Sequence, residues 1–288
     1  MPGHLKIMRK EDLTLSFEFF PTKTEEGLEK LLTVQNELAP LNPEFCSVTF
    51  GAGGTTQDRT IETVMRLKAN NDMDCAPHLS CIGASRESIS KLINFYKDNG
   101  ISRLVALRGD IPSGMRDHGD FSYANELVSF IREETGDYFH LEVAAYPEFH
   151  PQAASARTDL QNFKRKVEAG ADSAITQYFF NPDAYFSFVD SCNDMGLELP
   201  IIPGIMPINN YVQLARFSDA CGAEIPRWIR KRLESYGDDL DSIRSFGLDV
   251  VTSLCDKLLE GGVPGLHFYT MNQSRTTAAI CKNLSLMP

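Results

Sequence analysis

The stretch TLSFEFFPTKTEEGLEKLLTVQNEL, Thr14–Leu38, carries the pattern that decides the fold. Its first seven residues are rich in β-branched and aromatic side chains, the composition of a strand, and they stop at Pro21. Leu28, Leu31, Leu32, Gln35 and Leu38 then recur at the spacing of one helix face, which ends before Pro40. A strand followed by a helix is the repeating half of a βαβ unit, and the rest of the chain continues the alternation.

The next strand is FCSVTF, Phe45–Phe50, followed by glycines and a helix with Ile61, Val64, Met65 and Leu67. Asp74–Leu79 is the third strand. Ser85 opens the next helix, which carries Ile89, Leu92, Ile93 and Tyr96 and is closed by Gly100. Further strands begin near Arg103, Leu141, Ser173, Pro200 and Gly265. Pro182 falls in a first helical turn, where its missing N–H costs nothing, and Ser274–Leu286 reads as a final helix. Strand starts lie 27 to 38 residues apart, except for a last interval of 65 that holds extra helices around Arg227–Tyr236 and Ile243–Leu259. Eight such units in 288 residues predict an α/β chain: one (β/α)8 TIM barrel over residues 1–288, with extra helices before the eighth strand. A doubly wound sheet is the alternative, but no Gly-x-Gly-x-x-Gly follows the first strand. Trp228 and Leu254–Leu259 read as core or as an interface.

With 28 Lys+Arg against 39 Asp+Glu the formal charge is −11, and a chain this acidic repels phosphate backbones, so no nucleic-acid partner is expected. No apolar run approaches the roughly 18 residues of a membrane span, and Met1–Asp12 leads into no signal-peptide core. The seven cysteines are scattered, with no Cys-x-x-Cys pair. These features predict a soluble, cytoplasmic, reduced protein with no membrane partner.

A barrel places its chemistry at the C-terminal ends of its strands. Those positions hold Glu18, then Thr49 with the loop Gly51-Ala-Gly-Gly54, then His78. The fourth strand is followed by Arg108-Gly-Asp110 and the fifth by Tyr146-Pro-Glu148-Phe-His150. Gln177 ends the sixth, Pro203-Gly204 mark the seventh, and Tyr269 and Asn272 the eighth. Polar groups from nearly every strand thus converge on one rim, as a cofactor or substrate site requires. Between Phe17 and Phe19, Glu18 faces either solvent or the lumen; a carboxyl enclosed in the lumen holds its proton more tightly, which suits a general acid. Asp159, Asn162, Arg165 and Lys166 share a helix face that is either solvated or a pyrophosphate site, with Asp159 on a ribose hydroxyl. Cys75, His78 and Cys81 are too far apart along a strand to share one ion, so no metal site is expected. The Gly-x-Ser-x-Gly elbow of a serine hydrolase is missing.

With these residues laid out, the chain resembles the methylenetetrahydrofolate reductases of the bacterial, single-domain type. The resemblance spans about Leu13 to Leu286. It rests on Ser16-Phe-Glu-Phe-Phe-Pro21, Val48-Thr-Phe-Gly-Ala-Gly-Gly54, Pro77-His-Leu-Ser-Cys81 and Leu107-Arg-Gly-Asp110 in the first half of the chain. Ala144-Ala-Tyr-Pro-Glu-Phe-His-Pro151, Ala174-Ile-Thr-Gln177, Ile202-Pro-Gly-Ile-Met-Pro207 and His267-Phe-Tyr-Thr270 complete it, one motif per strand. It implies a flavoprotein that holds FAD in the barrel mouth and reduces 5,10-methylenetetrahydrofolate to 5-methyltetrahydrofolate, with NADH or NADPH reducing the flavin first. Glu18 is then the general acid that opens the folate ring to an iminium, and Asp110 tunes the flavin and orients substrate. Gln177, Gln213, Phe217 and Gln273 fall at substrate positions.

The same resemblance assigns FAD contacts to Thr49, Phe50, Ala52, His78, Arg108, Gly109 and Asp110. It adds Tyr123, Ala124, Tyr146, His150 and Ala153, and on the basic helix face Asp159, Asn162, Arg165 and Lys166. Gln273 departs from the family's Arg, whose charge only Arg275 could replace, and the C-terminal regulatory domain of eukaryotic members is not expected. Apolar positions in the late helices and the family's habit predict a homo-oligomer, a tetramer in many members. The competing readings are a ferredoxin- or partner-coupled reductase of the same family and a non-catalytic flavin- or folate-binding barrel.

Overall fold

In the computed structural model, which describes residues 13–50, 54–110 and 119–287, nine strand segments run parallel in one sheet. They are β1 (Thr14–Phe19), β2 (Phe45–Val48), β3 (Asp74–Ser80), β4 (Arg103–Leu107), β5 (His140–Ala145), β6 (Ser173–Thr176), β7 (Ile201–Ile202), β8 (Gly204–Ile205) and β9 (Gly265–Tyr269). The order is β7-β6-β5-β4-β3-β2-β1-β9-β8. Only Pro203 separates the two outermost segments, so β7 and β8 are halves of one stave and the ring closes through it. Proline has no N–H to give a ladder; its carbonyl still accepts from His267 N at 3.0 Å. Eight staves with one broken is the predicted barrel.

The helices are α1 (Glu25–Leu38), α2 (Gly54–Asn70), α3 (Arg86–Asp98), α4 (Ala124–Thr135), α5 (Ala156–Glu168) and α6 (Pro182–Asp194), then α7 (Tyr211–Cys221), α8 (Arg227–Ser235), α9 (Leu240–Glu260) and α10 (Arg275–Asn283). Thr24 caps α1 by accepting from Gly27 N at 3.1 Å, and Glu25 and Glu26 complement the positive end of the helix. Leu28, Leu31, Gln35 and Leu38 form its buried stripe. Gln35 is a polar core residue because its amide is satisfied: Nε2 donates to Leu67 O and Asn71 Oδ1, and Oε1 accepts from Asn70, tying α1 to α2.

Alternation sorts the strand residues. Phe17, Phe19, Cys46, Val48, Cys75 and Leu79 pack outward beneath the helices, whereas Phe45, Ala76, Val105 and Ile175 form a separate cluster in the lumen. At the lumen's N-terminal end sits a polar plug. Arg103 pairs with Glu142 at 2.5 Å and with Glu44, and its guanidinium stacks 4.4 Å from the Phe45 ring. Ser173 donates to the other Glu142 oxygen at 2.5 Å.

Several element boundaries differ from the expectations. The FCSVTF strand ends at Val48, the last helix stops at Asn283, and α9 begins at Leu240 because Asp239 caps it through Ser242 N. Leu254 and Leu258 are core as expected; Trp228 is 61% exposed and is not.

Candidate active site

The β1 register with β2 and β9 sets Glu18 beside Ser47 and Tyr269 with its side chain in the lumen, 7% exposed. Its Oε2 lies 3.4 Å from His78 Nε2 and 4.0 Å from His267 Nε2. His267 Nδ1 is fixed by Ser16 Oγ at 2.7 Å. Ser47 Oγ, His78 Nε2 and His267 Nε2 are buried polar atoms with no hydrogen-bond partner among the described residues, and all three face this carboxyl or sit next to it. Such atoms normally find a partner, so the pocket is built for a polar group or water. Burial pulls the His78 pKa below the usual histidine value, against the opposing charge of Glu18, so this imidazole is neutral at pH 7. The ion-pair neighbours of Glu18 among the described residues are imidazoles alone, and His78 gives it no cationic counter-charge.

The surroundings of Glu18 are held by β8 and β9. Tyr269 reaches across β8 to donate to Thr176 O at 2.7 Å. This needs Gly204, since a Cβ there would sit 2.1 Å from Thr176 O and 2.7 Å from the Tyr269 ring. Burial, then the Glu18 charge, drives the Tyr269 hydroxyl well above the ordinary tyrosine range. Thr270 Oγ1 donates to Glu18 O at 2.6 Å. Asn272, with φ +54°, accepts from Phe20 N and donates to Phe20 O, so its amide clasps the end of β1.

A cavity of about 960 Å³ is lined by Leu107 and Ala144 from the ends of β4 and β5, and Glu18 is not on its lining. Phe50 and the run Arg108, Gly109 and Asp110 form one wall, and Tyr123 and Ala124 the start of another. Gly109 has φ +86°, and a Cβ would lie 1.9 Å from Ser80 Oγ, which itself donates to Arg108 O. Tyr146, His150 and Ala153 enter from the loop after β5, where His150 N donates to Asp159 Oδ2 at 2.8 Å. Burial lowers the His150 pKa, partly offset by Asp159. On α5, Asp159, Asn162, Arg165 and Lys166 face the cavity together. Lys166 Nζ donates to Ala144 O at 2.5 Å, and burial draws its pKa down to about 8 against the pull of Asp159. A half-buried ammonium whose hydrogen bond among the described residues goes to a carbonyl is a site for an anion.

Most of the expected cofactor residues thus converge. Thr49 and His78 lie outside the cavity walls, Thr49 at the end of β2 with its carbonyl bonded to Thr60 and His78 in the lumen. Ala52 lies outside the described residues. The expected substrate residues Gln177, Gln213, Phe217 and Gln273 do not line this cavity either. Gln177 follows β6 half-buried, Phe217 is half-buried on α7, and Gln213 and Gln273 are exposed. Gln177 follows β6, Gln213 and Phe217 lie on the helix after β8, and Gln273 follows β9, whereas the cavity is lined from the end of β2 to α5. Arg275 is exposed in the first turn of α10.

Sequence reasoning missed several neighbours, His267, Thr158 and Gln152 among them. His267 lies two residues before Tyr269 on one strand face, a signal that strand parity carries. Thr158 stands one turn before Asn162 on the same helix face and also lines the cavity. Gln152, which accepts from Arg108 Nη2 at 2.6 Å, sits in a loop without any such periodicity.

The fold is shared with folate proteins of distant sequence. A Clostridium thermocellum protein that binds two copies of 5-methyl-5,6,7,8-tetrahydrofolic acid superposes with a TM-score of 0.67 at 20% identity, over 96% of each chain. A dihydropteroate synthase from Xanthomonas albilineans gives 0.54 at 12%, over 97% of this chain and 94% of the other. Sequence relatives are much nearer. The 5,10-methylenetetrahydrofolate reductase of Escherichia coli K12 is 39% identical over 276 residues, 96% of this chain and 92% of that one. Methylenetetrahydrofolate reductase (NADH) 1 of Zea mays is 39% identical over 285 residues, and the chain spans about half, 48%, of that relative's length. The sequence pattern of the family described as methylenetetrahydrofolate reductase matches residues 4–285, nearly every position that the barrel and its rim require. The chain belongs to the methylenetetrahydrofolate reductase family.

Proposed function

We propose that the chain is a flavin-dependent oxidoreductase that reduces 5,10-methylenetetrahydrofolate to 5-methyltetrahydrofolate, using NADH in preference to NADPH. It works by ping-pong in one barrel, supplies methyl groups for methionine synthesis in the cytoplasm, and acts as a homo-oligomer. The observation that carries this reading is Glu18, enclosed among Ser47, His78 and His267, in a barrel whose cavity holds a half-buried cation, Lys166. The maize relative's name supports NADH.

The cavity fits FAD. Its volume is at the upper end for a ligand pocket, as a dinucleotide needs. Lys166 and Arg165 would take the pyrophosphate, Asp159 and Asn162 a ribose, and Arg108, Gly109 and Asp110 the flavin end. Tyr123, Ala124, His150 and Ala153 would enclose the remainder. When bound, FAD supplies the two-electron chemistry between nicotinamide and folate. Gln177, Gln213 and Phe217 would hold the nicotinamide and the folate in turn, so few polar groups would recognise two ligands. Glu18 hands its proton from Oε2 to a folate ring nitrogen, because an amine is a poor leaving group until protonated. His78, neutral, brings no cationic charge to Glu18. Asp110 orients the pterin from the cavity edge.

Purified protein should be yellow and should bleach anaerobically with NADH and no second protein. Glu18→Gln should cut folate reduction by about 100-fold or more while flavin reduction by NADH stays near wild type. A colourless protein that takes up no FAD defeats the reading. Equal loss in both half-reactions would remove the acid role from Glu18.

A further inference from the structure

Although the chain is strongly acidic, four cations fall within six positions of α8: Arg227, Arg230, Lys231 and Arg232. The eight positions from Glu234 to Asp241 then carry four anions, Glu234, Asp238, Asp239 and Asp241, and no cation. Over residues 227–241 the charges cancel in sum but are sorted by end. The helix buries Ile229 and Leu233 and turns Arg227, Trp228, Lys231 and Arg232 outward. Arg227, Arg230 and Asp238 have no ion-pair partner among the described residues, whereas Lys231 is taken by Glu234. Trp228, the chain's one tryptophan, stands exposed and edge-on to Phe246 of α9, with ring centres 6.0 Å apart. Leu240, at the acidic end, is also exposed.

We infer that this α8–α9 corner is a self-association surface. Two copies meet across a two-fold axis with their α8 helices antiparallel. Arg227 and Arg230 of each then face Asp238 and Asp239 of the other, and each Trp228 covers the partner's Leu240. The argument is one of complementarity. A two-fold axis perpendicular to a segment sets each end against the opposite end of its copy, so a segment sorted into a basic and an acidic end complements itself. A second chain of charge −11 is repelled over most of the surface, and the attraction must come from a patch of this kind. Tryptophan and arginine are also the residues that most often anchor interfaces. A small anion matches the corner less well, since carboxylates begin two residues after the last cation.

This inference rests on the homo-oligomer reading and names the surface that serves it. Sedimentation of the full chain tests it, with the Trp228 emission as a second readout. The wild type should sediment at a multiple of the 32.2 kDa chain mass. Either Arg227→Asp with Arg230→Asp, or Asp238→Arg with Asp239→Arg, should halve that mass, and all four changes together should restore it. Dilution of the wild type, or added salt, should shift the tryptophan emission to longer wavelength in step with the fall in mass. A single-chain mass at every concentration overturns both the surface and the homo-oligomer reading. A larger mass that neither reversal alters overturns the surface alone, and failure of the four-fold change to restore mass overturns the antiparallel pairing.

Discussion

The half-buried Lys166 ammonium donates to one protein carbonyl, Ala144 O, and burial draws its pKa down to about 8. A pyrophosphate brought beside it favours the charged form and raises that value. FAD affinity should therefore be full below pH 8 and fall as pH rises above it, because the free protein has then lost the proton that binding must recover. Lys166→Met removes a charged hydrogen bond worth about 1.5–3 kcal/mol, which is roughly 10- to 100-fold in affinity, and should flatten the dependence between pH 7 and 9. Fluorescence titration of the apoprotein with FAD reads both, and a variant that keeps the wild-type slope would assign the titration to another group. Gly204 makes a different demand. Its missing Cβ is what lets the Tyr269 ring pass to Thr176 O, and the atom at 2.1 Å is backbone that cannot swing away. Gly204→Ala should cost about 1–3 kcal/mol, as overpacking does, seen as a lower urea midpoint. An unchanged midpoint would mean that β8 can yield there.

At the scale of elements, α1 was legible in its stripe, from spacing, and in its end, from Pro40, whereas its start is fixed by the Thr24 cap that the structure shows. Thr24→Ala should lower stability by about 1 kcal/mol, measured by denaturant unfolding, with no change in FAD binding because α1 contributes nothing to the cavity. The strands were legible as far as alternation reaches, since parity places Glu18 with Ser16 and His267 with Tyr269. Spacing could not say which parity faced the lumen, nor that Ser16 meets His267, 251 positions away, through closure of the ring. Resemblance supplied what period could not on α5: its polar face looks solvated in isolation and becomes a cavity wall only when β4 and β5 stand beside it. The Asn272 amide also read as a rim ligand group, yet it is spent on the Phe20 backbone. Side chains of one type serve either purpose, and only the path of the neighbouring loop decides.

For the whole molecule, the two ends of the barrel have divided their tasks. The C-terminal end leaves polar atoms unsatisfied around Glu18, whereas the N-terminal end satisfies Glu142 from three sides, by Arg103, Ser173 and His140. Burial alone would raise the Glu142 pKa, but the hydrogen bonds from His140 and Ser173 and the Arg103 charge more than offset it, and the carboxyl is held below its ordinary value. A group depressed in the folded state contributes stability that is present above its unfolded value of about 4.3 and lost as pH falls through the lower folded value. The plug joins β4, β5 and β6 to Glu44 at the start of β2, so its failure should loosen half of the ring. Glu142→Gln leaves Arg103 with Glu44 as its carboxylate partner and should cost about 1.5–3 kcal/mol at pH 7, the worth of a charged hydrogen bond. The same variant should lose less further stability than the wild type between pH 7 and pH 3.5, because the titrating carboxyl is gone. Urea midpoints at the two pH values test this, and parallel losses in the two proteins would show that acid acts elsewhere. FAD affinity at pH 7 should be unchanged in the variant. A barrel's function lies at the end its strands point to and its stability at the other, and this substitution separates the two.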